Sequence, residues 1–406
     1  YQEELLTFDY ETGRWQWDIF QIQSLSLTDD VLSLMMGKLR KLDDTSLNLL
    51  KLCAAMGNRF NLRMLRLARE PPAFQTAEEL GPILKEGFLV PKDDSYKYIT
   101  KFSDAAAAAQ VEYSFLHDRV QQAAYNLLDD NEREELHLKI GRLYLASVSH
   151  AEREEILIDL VNHLNLGRNL ITGEEERVEL ARLNLAAGQK AKNSTAYEGA
   201  LRLFHIGHDL LPGDAAERYY ELFMAYQMEL GETYYTVNDL KNAEKYFDII
   251  LTRARSGVEK LRVYEIKIDV ATGQNQPEEA VRTGLEALEL LGIRLSAAPS
   301  DAVPRTEMTR MAQALRKQAV SSLINLPHME DEIQLAGMKV LMQLGLPAYV
   351  LSSNLFPVII ARMIRISLKH GNAESNAYAY DAYGMLQAGM NDDPEQGYEV
   401  GRLGLD

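Results

Sequence analysis

The apolar positions of the chain change period three times. Over residues 5–19, "LLTFDYETGRWQWDI", they alternate, with Phe8 and Tyr10 on one side of Gly13 and Trp15, Trp17 and Ile19 on the other. Alternation broken by a glycine predicts a β-hairpin. A lone hairpin is marginal in water, so it is expected to pack on a larger domain. From residue 28 the spacing turns helical. "DDVLSLMMGKLRKL", "TSLNLLKLCAAMG", "NLRMLRLARE" and "TAEELGPILKEG" read as four helices, the second ended by Gly57 and the third by Pro71 and Pro72. Short β-like pieces follow, "FLVPKD", "YKYIT" and "VEYSFL". Helices followed by a small hairpin predict a winged helix over 28–128, with the alanine run 104–110 as its wing loop.

From about residue 129 the pattern is helical with no convincing strand, which raises the question of repeats. A tetratricopeptide repeat needs small residues where its two helices touch and an aromatic near position 24. Aligned on Ala200, Gly188 falls at position 8, Ala191 at 11, Phe204 at 24, Gly207 at 27 and Pro212 at 32. Aligned on Ala243, Gly231, Tyr234 and Phe247 take positions 8, 11 and 24; aligned on Ala280, Ala271 and Ala287 give a weaker match. Gly384, Gly397, Gly401 and Gly404 repeat the design near the end of the chain. The proline-containing stretch "RLSAAPSDAVPR" reads as a linker.

The totals limit the function classes. Hydrophobic residues at 46 % and charged residues at 25 % are the balance of an ordinary soluble chain. A net charge of −17 argues against a dedicated nucleic-acid binder, which needs a basic face. The single cysteine, Cys53, excludes an internal disulfide and any multi-cysteine metal site; it sits in an apolar helical run and reads as a buried thiol in a reducing compartment. The most membrane-like stretch, residues 341–360, is interrupted by Gln343, Pro347, Asn354 and Pro357, so it reads as two helices of a core rather than a span. The first residues carry no signal-peptide pattern, and both ends look cut from something longer.

Candidate chemistry is sparse. The sequence has no P-loop, no nucleophile elbow and no kinase motif set. His205 and His208 are three apart in "FHIGHDLLP" and share a helix face, but zinc needs further ligands and none is obvious beyond Asp209. Arg63, Arg66 and Arg69 fall on one face of the third helix, a face suited to phosphates, guanine edges or a partner domain. The glutamate-rich stretches "NEREELHLK", "AEREE" and "GEEERVE" read as solvated helix faces. In "YSFLHDRVQQAAY" the pair His117 and Asp118 marks the joint between a strand and a helix, with Asp118 expected as N-cap and Gln121 completing a capping box.

The ordered blocks "GRWQWDI", "AAMGNRFNL", "EGFLVPKDDSYKY", "FLHDRVQQAAY", "HLKIGRLYLA" and "KAKNSTAYEGALR" resemble one bacterial family over essentially the whole chain. Its members are large signalling proteins that fuse a Ser/Thr kinase, an AAA-type (STAND) ATPase, helical repeats, a GAF domain and a sensor histidine kinase. The resemblance implies that this chain is the part after the P-loop core. In STAND proteins a Met-His-Asp motif in the winged helix contacts bound ADP and holds the closed state. Leu116, His117 and Asp118 match it in type and place, with leucine for methionine. The resemblance therefore implies His117 as nucleotide sensor and Asp118 as its orienting neighbour; an imidazole beside a helix start suits a phosphate.

The expected fold is mainly α, with a β-hairpin and a winged helix followed by a tetratricopeptide-like solenoid. The expected domains are 1–27 hairpin, 28–128 winged helix, 129–293 repeats, 294–305 linker and 306–406 a second repeat block. The expected function is a cytoplasmic, non-catalytic regulatory segment with protein partners and no membrane insertion. It holds no cofactor of its own, and ADP or ATP belongs to the parent ATPase. The rival readings are a DNA-binding transcription regulator using Arg63, Arg66 and Arg69, and a constitutive protein-binding scaffold.

Overall fold

The computed structural model describes residues 6–9, 14–17, 37, 39, 41–69, 76, 78–98, 111–315, 320–390 and 394–404. The hairpin turn at Gly13, Pro71 and Pro72, and the alanine run 104–110 lie outside the described residues. The chain divides into two compact units, Tyr1–Tyr226 and Gln227–Asp406.

In the first unit β1 (Leu6–Asp9) pairs antiparallel with β2 (Arg14–Trp17), Leu6 opposite Trp17 and Phe8 opposite Trp15. Helix α1 (Asp44–Met56) starts on Asp43, whose carboxylate accepts from Ser46 N at 2.9 Å, and ends at Gly57 with φ 120°. That left-handed φ is open to glycine without penalty. A short strand β3 (Arg59–Asn61) follows, then α2 (Leu62–Arg69), α3 (Gly81–Lys85), β4 (Leu89–Pro91) and β5 (Glu112–Phe115). The three strands form one antiparallel sheet in the order β3-β5-β4. Its core side is Phe60, Leu89, Tyr113 and Phe115, buried with Leu49, Leu50, Cys53 and Leu65.

One sequence expectation fails here. "YKYIT" contributes no strand over its described residues: Asp94–Tyr98 is a 3₁₀ turn closed by a Lys97–Asp94 ion pair. The third strand is instead β3, three residues long and too short for alternation to register in sequence. It forms because Phe60 reaches the core opposite Tyr113.

Helices α4 (Asp118–Tyr125), α5 (Asp130–Ser147), α6 (His150–Leu166), α7 (Glu174–Asn193), α8 (Tyr197–Asp209) and α9 (Ala215–Arg218) complete the unit. Two of the glutamate-rich stretches do more than solvate a face. Asp129 with Glu132 and Ser149 with Glu152 form reciprocal capping boxes at the starts of α5 and α6. Each satisfies two N–H groups that a helix start would leave open.

Helix α10 (Tyr220–Thr236) contains the division between units. The second unit continues with α11 (Leu240–Arg253), α12 (Gly257–Gly273), α13 (Pro277–Leu290), α14 (Ala302–Leu315), α15 (Glu332–Leu351), α16 (Leu355–His370), α17 (Asn376–Met390) and α18 (Pro394–Arg402). One core runs through it, from Leu261 to Val400, centred on Met311, Leu344, Ile359, Met363 and Tyr383. The membrane-like stretch is the end of α15 and the start of α16; α16 buries most of its side chains, whereas α15 leaves Leu346, Tyr349 and Val350 exposed. No described helix is long and apolar enough to cross a membrane. Helix α14 begins at Ala302, within the stretch read as a linker, because proline is tolerated in a first helical turn.

The helical pairs repeat in atomic detail. Ala200, Ala243 and Ala280 are buried in α8, α11 and α13. Five residues before each, Thr195, Asn238 and Asn275 have φ of 60°, 63° and 57°. One residue later the chain bonds back across the turn: Ala196 N to Ala191 O, Asp239 N to Tyr234 O, and Gln276 N to Ala271 O, at 2.9, 2.9 and 2.8 Å. This is one helix-ending motif used three times. A Cβ on Gly188 would lie 2.5 Å from Phe204 Cδ1, and one on Gly231 would lie 2.5 Å from Phe247 Cε1. Positions 8 and 24 therefore touch in both repeats.

Candidate functional site

The joint at His117 is held from the strand side. Phe115 N donates to Asn58 O at 3.1 Å and Leu116 N donates to Phe88 O at 3.1 Å, so strand pairing runs one residue past β5. This leaves His117 extended, with φ −143° and ψ 143°, as the N-cap of α4; its side chain makes no capping bond. Asp118 is the first helical residue, so the expected Asp118 cap and its capping box are not formed. Gln121 turns instead to α1, its Nε2 donating to Ala54 O at 3.1 Å. Val120, Ala123 and Ala124 bury the inner face of α4, while Leu116, His117 and Asp118 stand exposed. The module thus presents the pair on its surface at a fixed place.

Arg63 and Arg66 of α2 do not stand on an open face. Arg63 donates to Ser147 O at 3.0 Å and to Glu152 at 3.4 Å, which ties α2 to the turn between α5 and α6. Arg66 is half-buried, and Arg69 is the last residue of the helix. Of the histidines on α8, His208 packs against Phe223 and Tyr226 with centroids 6.1 and 6.0 Å away, and burial lowers its pKa. Among the described residues no three His, Cys, Asp or Glu side chains come together to hold a metal.

A cleft of about 760 Å³ opens between β3 and α6. Its lining includes Arg59, Asn61 and Arg63 on one wall and Glu155, Asp159 and His163 on the other. His137 of α5 and His163 of α6 meet in it, Nδ1 to Nδ1 at 2.8 Å, both buried. Tyr125 Oη lies 2.8 Å from His137 Nε2, extending the chain to α4. A bond between two Nδ1 atoms requires one ring to donate and the other to accept, so the pair is satisfied as two neutral imidazoles. Burial acts the same way and pushes both histidines down to about 4. Tyr144 stands edge-on to His163, and burial pushes its phenol up to about 12.

This chain of groups was not legible in the sequence. His137 and His163 sit in separate helical runs, and "NEREELHLK" read as a solvated face. The available signal was position: His137 falls beside Leu138, and His163 beside Leu164, on the buried faces of their helices. In the second unit a smaller groove of about 340 Å³ lies among α10, α11 and α12, lined by Tyr235, Phe247, Lys267 and Gln274.

No protein-family profile matches the chain. The chain is 23 % identical, over a 468-residue alignment, to "Hybrid signal transduction histidine kinase G" of Dictyostelium discoideum. That alignment takes in 100 % of the chain but 14 % of the relative. Among solved structures it is similar to a Signal Transduction ATPase with Numerous Domains (STAND) protein with a tetratricopeptide repeat sensor from Pyrococcus horikoshii. There the identity is 14 %, the TM-score is 0.25, and the match covers 92 % of this chain and 64 % of the other. The chain is thus similar from end to end to a small part of a much longer signalling protein.

Proposed function

We propose that this chain is a non-catalytic regulatory segment of a multidomain signalling ATPase, in which a winged-helix module clamps bound nucleotide and helical repeats control the clamp. The observation that carries the signalling reading is the chain-long similarity to a signal transduction histidine kinase. The three-stranded sheet β3-β5-β4, which shares one core with α1–α3, supports the winged-helix reading. The exposed position of His117 between β5 and α4 supports its role as nucleotide sensor, since a donor there is free to reach a β-phosphate supplied by a neighbouring domain. Asp118, in the first turn of α4, orients the joint. The repeats carry an effector protein or an adjacent domain, with their interhelical groove around Tyr235 and Lys267 as the contact surface. The DNA reading loses support because Arg63 is committed to Ser147 and Glu152.

An allosteric role requires a contact made in one state and absent in the other. Here that contact is His117 to ADP, present in the closed state. Replacing His117 with alanine in the full-length protein is expected to raise signalling output without a stimulus. Unchanged basal output would sink the proposal.

A further inference from the structure

The cleft between β3 and α6 has a construction that nucleotide clamping does not use. Its first feature is an open strand edge. The register sets Phe60 opposite Tyr113, while Asn58 O accepts from Phe115 N and Leu62 N donates to Val111 O, at 3.1 and 2.9 Å. Residues 58, 60 and 62 therefore direct their ladder groups toward β5. In an antiparallel pair the intervening residues direct theirs the other way. Arg59 N–H and C=O and Asn61 N–H consequently face the outer edge, and β3 is the edge of its sheet. Among the described residues no backbone group pairs with Arg59 on that side. Such an edge is a template for an added strand.

The second feature is charge. Glu112, Glu155 and Asp159 line the cleft, stand exposed, and make no ion pair among the described residues. Glu152 is taken by Arg63, so Arg59 is the cation left against three carboxylates. The third feature is the histidine pair. Both Nδ1 atoms and His137 Nε2 are used within the chain from Tyr125, which leaves His163 Nε2. Because the two rings can exchange donor and acceptor roles together, that atom can meet either an N–H or a C=O group. A peptide backbone offers both.

We propose that this cleft binds an extended, lysine- or arginine-bearing segment of a partner protein, which pairs with β3 as an added strand. Its backbone bonds to Arg59 and Asn61, and its cationic side chains meet Glu155 and Asp159. The volume, about 760 Å³, is in the range of formed ligand sites, about 300–1,000 Å³.

The test uses the whole chain and a fluorescein-labelled peptide, acetyl-KVKVKVK-amide, in about 0.15 M salt, where long-range attraction to the acidic protein is screened. The expected result is saturable binding that weakens at least tenfold in the double variant Glu155→Lys, Asp159→Lys. Binding should weaken similarly when the peptide is N-methylated along its backbone, which keeps its charge and removes its donors. Exchange of the Arg59 amide hydrogen should slow in the complex. Absence of saturable binding, equal binding of the methylated peptide, or unchanged binding by the variant would each overturn the proposal. Equal binding of the methylated peptide would identify plain charge attraction in its place.

Discussion

Thr195 holds a left-handed backbone conformation at a place where two other repeats use asparagine. Asparagine tolerates that region, whereas a β-branched residue is strained there, at about 1–2 kcal/mol for an ordinary side chain. Replacing Thr195 with asparagine should therefore stabilise the protein by about 1 kcal/mol, read as a higher urea midpoint with an unchanged slope. A lower midpoint would mean that the Thr195 side chain supplies more than the strain removes. The histidine pair carries a pH prediction. Both groups have folded-state pKa values lowered to about 4, below the usual 6.5, because burial disfavours the imidazolium. The unfolded chain then binds more protons between those values. Their contribution to stability is complete above pH 6.5 and is lost as pH falls toward 4. The double variant His137→Phe, His163→Leu should show a flatter loss of urea midpoint between pH 7 and pH 4.5 than the wild-type protein. An identical slope would place the pH dependence in other groups.

At the scale of elements, α17 and α18 cross with backbone close to backbone at Gly384 and Gly397. A Cβ on Gly397 would lie 2.7 Å from Gly384 O, with backbone on both sides and no flexible side chain to give way. Overpacking of that kind costs about 1–3 kcal/mol. Gly397→Ala should lower the urea midpoint accordingly, and a neutral result would show that the two helices separate without penalty. The glycine spacing made this crossing legible in the sequence, as did the Gly188–Phe204 and Gly231–Phe247 contacts. Elements set by local pattern were read correctly: α1 with its Gly57 stop, α2, and β4 and β5. Elements decided by distant contacts were not. β3 exists because Phe60 finds Tyr113 across more than fifty residues of chain. The helix start at residue 118 was displaced by one because Leu116 N finds Phe88 O, a bond that no local signal announces.

For the whole molecule, periodicity was sufficient to place a small sheet ahead of a long run of helical repeats. The cleft was out of reach because its walls come from β3, α5 and α6, and its chemistry depends on two histidines 26 residues apart in sequence. The proposed function uses two kinds of surface: an exposed His117 beside the sheet and an interhelical groove on the repeats. In the proposed mechanism, an effector that releases the clamp must bind the repeats less well when ADP is held. The measurement that bears most directly on this is ADP affinity by calorimetry in a longer version of the protein that includes the nucleotide-binding core, with His117 and with alanine in its place. The account predicts at least a tenfold loss of affinity for His117→Ala, about 1.4 kcal/mol. Equal affinities would contradict it, and would leave His117 as a helix-start residue with no part in holding nucleotide.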